Sequence, residues 1–276
     1  MQNNKTIFLA KNISELLYQI KNVSGLEIVG GCSSIKSLPE KALSVRDIAE
    51  LKAINVRERF IDFGPAVTLN EILSLGRDRV PQILCEAAQS VGNYFVRNMA
   101  TLGGNICASV ESPKAVKRSL YAPLLALGAT LKFRNTENQM SATLPFSKFE
   151  GVPPKNVLVN IRVPADDWDV SIFRRLGQSG FPSEDASTFC FLAKTAGGVL
   201  SQVKLVFAGP LVFQDSELEA KLLGVRLPLN EKTVHDWIEA ARASFDEAAA
   251  RSELPQSPTT RDLFINLTRY SLNQLT

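Results

Sequence analysis

The stretch from Ser90 to Ser109, SVGNYFVRNMATLGGNICAS, decides how the rest of this chain is read. A helical pattern ends within it, Thr101 precedes two adjacent glycines, and Asn105 leads into a run of small residues. Gly103 and Gly104 lack a Cβ, so the backbone there is free to take positive φ and to let a ligand approach its amides closely. A diphosphate needs that kind of approach. A glycine pair alone also marks an ordinary turn, so the surrounding letters have to decide.

Upstream, Asn12 or Ser14 can cap a helix whose apolar residues Leu16, Leu17, Ile20 and Val23 follow helical spacing, and Gly25 breaks it. A strand over Leu26 to Val29 then runs into Gly30-Gly31-Cys32-Ser33-Ser34, a glycine-led turn with small side chains that could offer several amides to an anion. Closer to the central stretch, Phe60 to Val67 reads as a strand interrupted at Gly64-Pro65. Thr68 with Glu71 forms a capping box that opens a further helix. Pro81 starts another, with Val80, Ile83, Leu84, Ala87, Ala88 and Val91 on one apolar face.

Val96 to Asn105, V-R-N-M-A-T-L-G-G-N, resembles the second flavin motif of the FAD-binding medium subunit of molybdenum hydroxylases, the family of xanthine dehydrogenase and carbon monoxide dehydrogenase. That family writes it I-R-N-x-A-T-(I/L)-G-G-N. Its first motif, A-G-G-T-D or A-G-G-H-S, is similar to Val29 to Ser33, V-G-G-C-S, with Cys32 in place of Thr or His. The resemblance implies that FAD is held by Val29, Gly30, Gly31, Cys32, Ser33 and Ser34 from one loop. Ala100, Thr101, Gly103, Gly104 and Asn105 would hold it from the other. It also implies flavin contacts at Leu158, from the strand N-V-L-V-N-I-R-V-P, and at Arg174, from the segment resembling the family's F-K-x-x-x-R. A cation at the flavin ring would stabilise charge on its reduced form.

Between Asn105 and Pro123 the chain departs from the family, which has an acidic turn there. Here the segment is longer, lacks Asp and carries Lys114, Lys117 and Arg118. Those basic residues read as a solvated loop, with contact to a diphosphate or a partner as the other reading. Cys85 and Cys107 read as small buried hydrophobes. His235, the single histidine, reads as a surface residue of an Ala- and Glu-rich helix over Asn230 to Arg251.

Composition bounds the remaining possibilities. With 276 residues, 45% hydrophobic and 21% charged, the chain can bury a large core and is ordinary for a globular protein. A net charge of +3 without basic runs argues against nucleic acid. The short apolar run near the N-terminus falls far below the ~18 residues of a membrane span, so a cytoplasmic location is expected. Four scattered cysteines without a CxxC argue against an iron–sulfur or zinc site in this chain.

Together these features imply an α+β fold: a two-subdomain FAD-binding fold of the vanillyl-alcohol-oxidase type plus a C-terminal sheet-and-helix domain. The divisions expected are residues 1–167 for FAD binding, split at about 55 and 56, and residues 168–276 for the C-terminal domain. Ser187 to Leu192 and Val199 to Phe207 read as antiparallel strands, and Thr260 to Leu275 as a last helix with Leu263, Leu267 and Tyr270 on one face. The resemblance implies a subunit that takes electrons from the 2Fe–2S clusters of a small partner, themselves fed by a large molybdenum-cofactor subunit. It would pass them through FAD to NAD+ or another acceptor. No catalytic acid, base or metal ligand is then required of this chain. The alternative is a structural or assembly subunit of the same fold that binds flavin weakly or not at all.

Overall fold

Three sheets, each with a different pairing pattern, organise the chain. They are seen in a computed structural model that describes residues 5–33, 35, 37–110, 116–177, 186–252 and 258–276. In the first, β1 (Thr6–Leu9), α1 (Ile13–Asn22), β2 (Glu27–Val29) and β3 (Lys41–Ser44) place β3 between β1 and β2, parallel to both. Asn12 caps α1 by accepting the Glu15 amide at 2.8 Å. Leu16 and Leu17 then pack on Leu43 and Ile48. The sequence does not announce β1 or β3, and residues 44–54 read as a connector. These four-residue strands find all their partners at a distance, so local pattern carries little of their pairing.

The second sheet is antiparallel in the order β4-β5-β8-β6-β7. Its first strands are β4 (Ile54–Val56) and β5 (Phe60–Phe63); β6 (Thr130–Asn135), β7 (Ser141–Pro145) and β8 (Asn156–Pro164) follow a helical excursion. The excursion comprises α2 (Leu69–Ser74), α3 (Gln82–Gln89), α4 (Tyr94–Met99), α5 (Leu102–Ala108) and α6 (Tyr121–Ala126). The expected capping box opens α2: Thr68 Oγ1 receives the Glu71 amide at 3.2 Å, and the Thr68 amide donates to Glu71 Oε2 at 2.7 Å. The excursion carries the central stretch, so its helices position the site.

The third sheet, β12-β11-β10-β9, is antiparallel and buried on both faces. It comprises β9 (Val170–Leu176), β10 (Ser187–Ala196), β11 (Val199–Ala208) and β12 (Val212–Gln214), followed by α7 (Ser216–Ala220), α8 (Glu231–Arg251) and α9 (Pro258–Leu272). Strand alternation explains the double burial. Phe189, Phe191 and Phe207 join Trp237, Phe245 and Phe264 on the helical side. Cys190, Leu192, Val206 and Ala208 join the core of the second sheet. His235 is exposed on α8, as its polar surroundings suggest.

Of the α9 face read from the sequence, Leu267 packs against the core, but the most deeply buried side chain lies elsewhere. Leu263 and Tyr270 are 38% and 46% exposed, whereas Phe264 is fully buried and stacks on Phe245 with ring centroids 4.2 Å apart. Phe264→Ala is expected to lower unfolding free energy by about 3–5 kcal/mol in a urea titration. Leu263→Ala is expected to lower it by less than about 1 kcal/mol. Equal losses at the two positions would contradict this packing.

Candidate functional site

The two glycine motifs, far apart in sequence, touch through their backbones. A Cβ on Gly31 would lie 1.4 Å from the Met99 carbonyl oxygen, and one on Gly30 would lie 3.0 Å from Thr101 Oγ1. No side chain fits between them. The second motif is fixed from beneath: the Leu69 amide donates to Ala100 O at 3.0 Å, the Leu102 amide to Val67 O at 2.9 Å, and the Gly103 amide to Pro65 O at 2.9 Å. Gly103 is buried because a Cβ there would sit 2.6 Å from Pro65 Cβ.

This placement corrects the expectation of a glycine turn with positive φ. Gly103 and Gly104 lie in the first turn of α5, and Thr101 is its N-cap, accepting the Gly104 amide on Oγ1 at 3.1 Å. The amides of Leu102, Gly103 and Gly104 are therefore already committed inside the protein. The free donors belong to the other loop. No described residue accepts from the amides of Gly30, Gly31, Cys32 or Ser33. Within that loop Cys32 takes the left-handed conformation, φ 54°, which disfavours non-glycine residues by about 1 kcal/mol or more. A left-handed residue among successive amides makes a concavity suited to an anion.

The loop and α5 form one wall of a cavity of about 930 Å³, a size usual for a cofactor pocket. Val29, Gly30, Gly31, Cys32 and Ser33 line it from the first motif. From the second come Ala100, Thr101, Gly104 and Asn105. Gly103 supports this wall from behind. Ser34 lies outside the described residues. Leu158 and Arg174 are not brought to the cavity. Leu158 is 6% exposed within the core of the second sheet, opposite Phe133. Arg174 is exposed on β9, donates Nη1 to its neighbour's carbonyl at 2.7 Å and lies 5.8 Å from the Tyr270 ring centroid.

Strand alternation turns the next residue the other way. Arg175 lines the cavity and donates Nη1 to Ser90 O at 2.7 Å; burial pulls its guanidinium below the usual arginine range. Ser187 and Thr188 at the start of β10 line it too, and both are buried. A period-of-two count along β9 could have found Arg175, but the motif spacing pointed to Arg174. The solvated-loop reading of Lys117 and Arg118 is overturned as well, since both are half-buried and face the cavity. Lys114 lies outside the described residues. Cys107 also lines the cavity, and burial pushes its thiol up to about 11, so it is protonated at neutral pH.

The residues fit a flavin dinucleotide. The Gly30–Ser33 amides await acceptors, the buried Ser187 Oγ has no hydrogen-bond partner among the described residues, and Gly104 leaves its stretch of wall free of a side chain. Fold and cavity together define an α+β module with a dinucleotide-sized cavity between a glycine-led loop and a capped helix. Residues 3–166 match the family described as FAD binding domain in molybdopterin dehydrogenase, and the chain belongs to that family, a class of oxidoreductases.

It is 26% identical over 267 residues to the nicotinate dehydrogenase FAD-subunit of Eubacterium barkeri, covering 84% of this chain and 87% of that one. It is 29% identical over 218 residues to an indole-3-acetaldehyde oxidase of Zea mays; the match takes in 76% of this chain and 15% of the plant enzyme. The chain thus spans a small part of the plant oxidases it matches. In fold it is similar to a chain of the carbon monoxide dehydrogenase of Hydrogenophaga pseudoflava, with a TM-score of 0.76 and 21% identity over 99% of this chain and 96% of that one. No helix among the described residues is long and apolar enough to cross a membrane.

The two kinds of glycine predict different failures. In Gly104→Val the added Cβ would lie 2.9 Å from Thr101 Oγ1, which must shift slightly, at a position that lines the cavity. That variant should stay within about 1 kcal/mol of the parent stability yet lose FAD. Gly31→Ala drives a methyl into the Met99 carbonyl and should lower the melting temperature along with flavin content. A folded Gly104→Val protein with full flavin content would contradict the placement.

Proposed function

We propose that this chain is the FAD-binding electron-transfer subunit of a molybdenum hydroxylase complex. It would receive electrons from 2Fe–2S clusters of a small partner subunit, supplied by a large molybdenum-cofactor subunit, and pass them to NAD+ or another acceptor in the cytoplasm. The observation that carries this reading is the cavity at the meeting of the two glycine motifs, lined by loop amides with no acceptor among the described residues and by Lys117, Arg118 and Arg175. The match to a relative named as a FAD-subunit supports it further.

FAD supplies the two-electron redox chemistry when bound. The chain's own task is to bind, orient and shield it. The Gly30–Ser33 amides would hold the diphosphate, Thr101 keeps α5 in register beneath it, and Ala100 and Val96 contribute apolar surface that displaces water. Arg175, rather than Arg174, would place positive charge at the cavity and favour negative charge on a reduced ring. We propose that residues 1–167 form the FAD-binding part and residues 168–276 the part that supplies Arg175 and Ser187 to its open side.

The test is the absorption spectrum of the purified protein, with heat release of the chromophore and identification by mass. Visible flavin bands and released FAD are expected, together with copurification of iron–sulfur and molybdenum subunits from native extract. A protein that is colourless, and remains so after incubation with excess FAD, would move the reading to an assembly subunit.

A further inference from the structure

We infer that Lys117 and Arg118 form a cationic part of the cavity wall that binds the diphosphate of FAD together with the Gly30–Ser33 amides. This assignment rests on the flavin reading and names residues that the two glycine motifs do not include.

The segment that carries them is anchored by its main chain. The Lys117 amide donates to Gly209 O at 3.0 Å, the Arg118 amide to Ser109 Oγ at 2.9 Å, and the Leu120 amide to Asn105 Oδ1 at 3.4 Å. Asn105 is the last letter of the second motif, so this wall is tied directly to the helix that carries the motif. Among the described residues neither side chain meets an anion, although the Lys117 ammonium also lies 5.4 Å from the Tyr121 ring centroid. Lys117 Nζ spends one of its three donors on Ser109 O, at 2.8 Å. Arg118 Nε is buried and has no acceptor among the described residues.

A buried guanidinium N–H without an acceptor is unfavourable, and an anion relieves it. The described lining of the cavity carries Lys117, Arg118 and Arg175 against a single acid, Glu27, which is exposed. Burial also holds the Lys117 ammonium below its ordinary range, and a neighbouring anion would restore it. Ser187 Oγ belongs to the same corner. A Cβ on Gly209, the residue whose carbonyl fixes Lys117, would lie 2.3 Å from it. The corner thus gathers two cations and a buried hydroxyl that meet no anion among the described residues.

The experiment is a fluorescence titration of the deflavinated full-length protein with FAD, and separately with riboflavin, at low and high NaCl. Wild type is compared with the Lys117→Gln/Arg118→Gln double variant. Lys155→Gln serves as a surface-charge control, because Lys155 pairs with Glu137 away from the cavity. FAD binding should weaken about ten-fold or more in the double variant, with its salt dependence flattened, while riboflavin binding and the control stay at wild-type values. If the double variant does not fold, Arg118→Gln alone is measured, since its anchor is the main chain. An unchanged FAD affinity and salt dependence in the folded variant would overturn the assignment, as would an equal loss for riboflavin. Wild-type protein that binds no FAD would instead sink the flavin reading on which it rests.

Discussion

Everything at this site depends on a backbone contact that only glycine allows: the Gly31 α-carbon against the Met99 carbonyl, where an added Cβ would stand 1.4 Å away. The parallel sheet and the helical excursion of the second sheet are thereby brought to van der Waals contact without side chains between them. The same device recurs beneath, where Gly103 meets Pro65 and Gly64 meets Leu51, with hypothetical Cβ distances of 2.6 Å and 2.1 Å. Close approach, more than conformational freedom, is what these glycines supply. Most of their φ angles are ordinary, and it is Cys32 that adopts the left-handed turn.

From that contact the chemistry divides between two walls. One is main chain: loop amides that no described residue accepts, offered to an anion without the conformational entropy of long side chains. The other is side chain: Lys117, Arg118 and Arg175, held where solvent is partly excluded, so that their attraction for an anion is stronger than on an open surface. The double-sided burial of the third sheet makes this second wall rigid. One of its faces packs on α6 and the core of the second sheet, while β9 and β10 deliver Arg175 and Ser187 to the cavity.

The sequence made much of this legible, and for identifiable reasons. Caps and breakers are local, so Asn12, the Thr68–Glu71 box and the span of β8 could all be read directly. Motif letters located both loops because their backbones must do one particular thing. Pairing at long range left no such mark, and β1 and β3 went unread. The direction of a side chain was equally hidden. Arg174 and Arg175 are adjacent, and only the phase of β9 decides which faces the cavity. Leu158 was drawn to the flavin by its motif position, yet its strand points it into the core. The basic segment before α6 looked like solvated loop because nothing in its composition records the bonds to Ser109 and Gly209 that turn it inward.

Amide hydrogen exchange with and without FAD tests the central claim most directly, because the two glycine motifs differ in which amides are already bonded. On binding FAD, exchange should slow strongly at Gly30 to Ser33, whose amides have no acceptor among the described residues, and change little at Leu102 to Gly104, whose amides are already bonded within the protein. Slowing confined to residues outside both motifs, or strongest in the first turn of α5, would contradict the account.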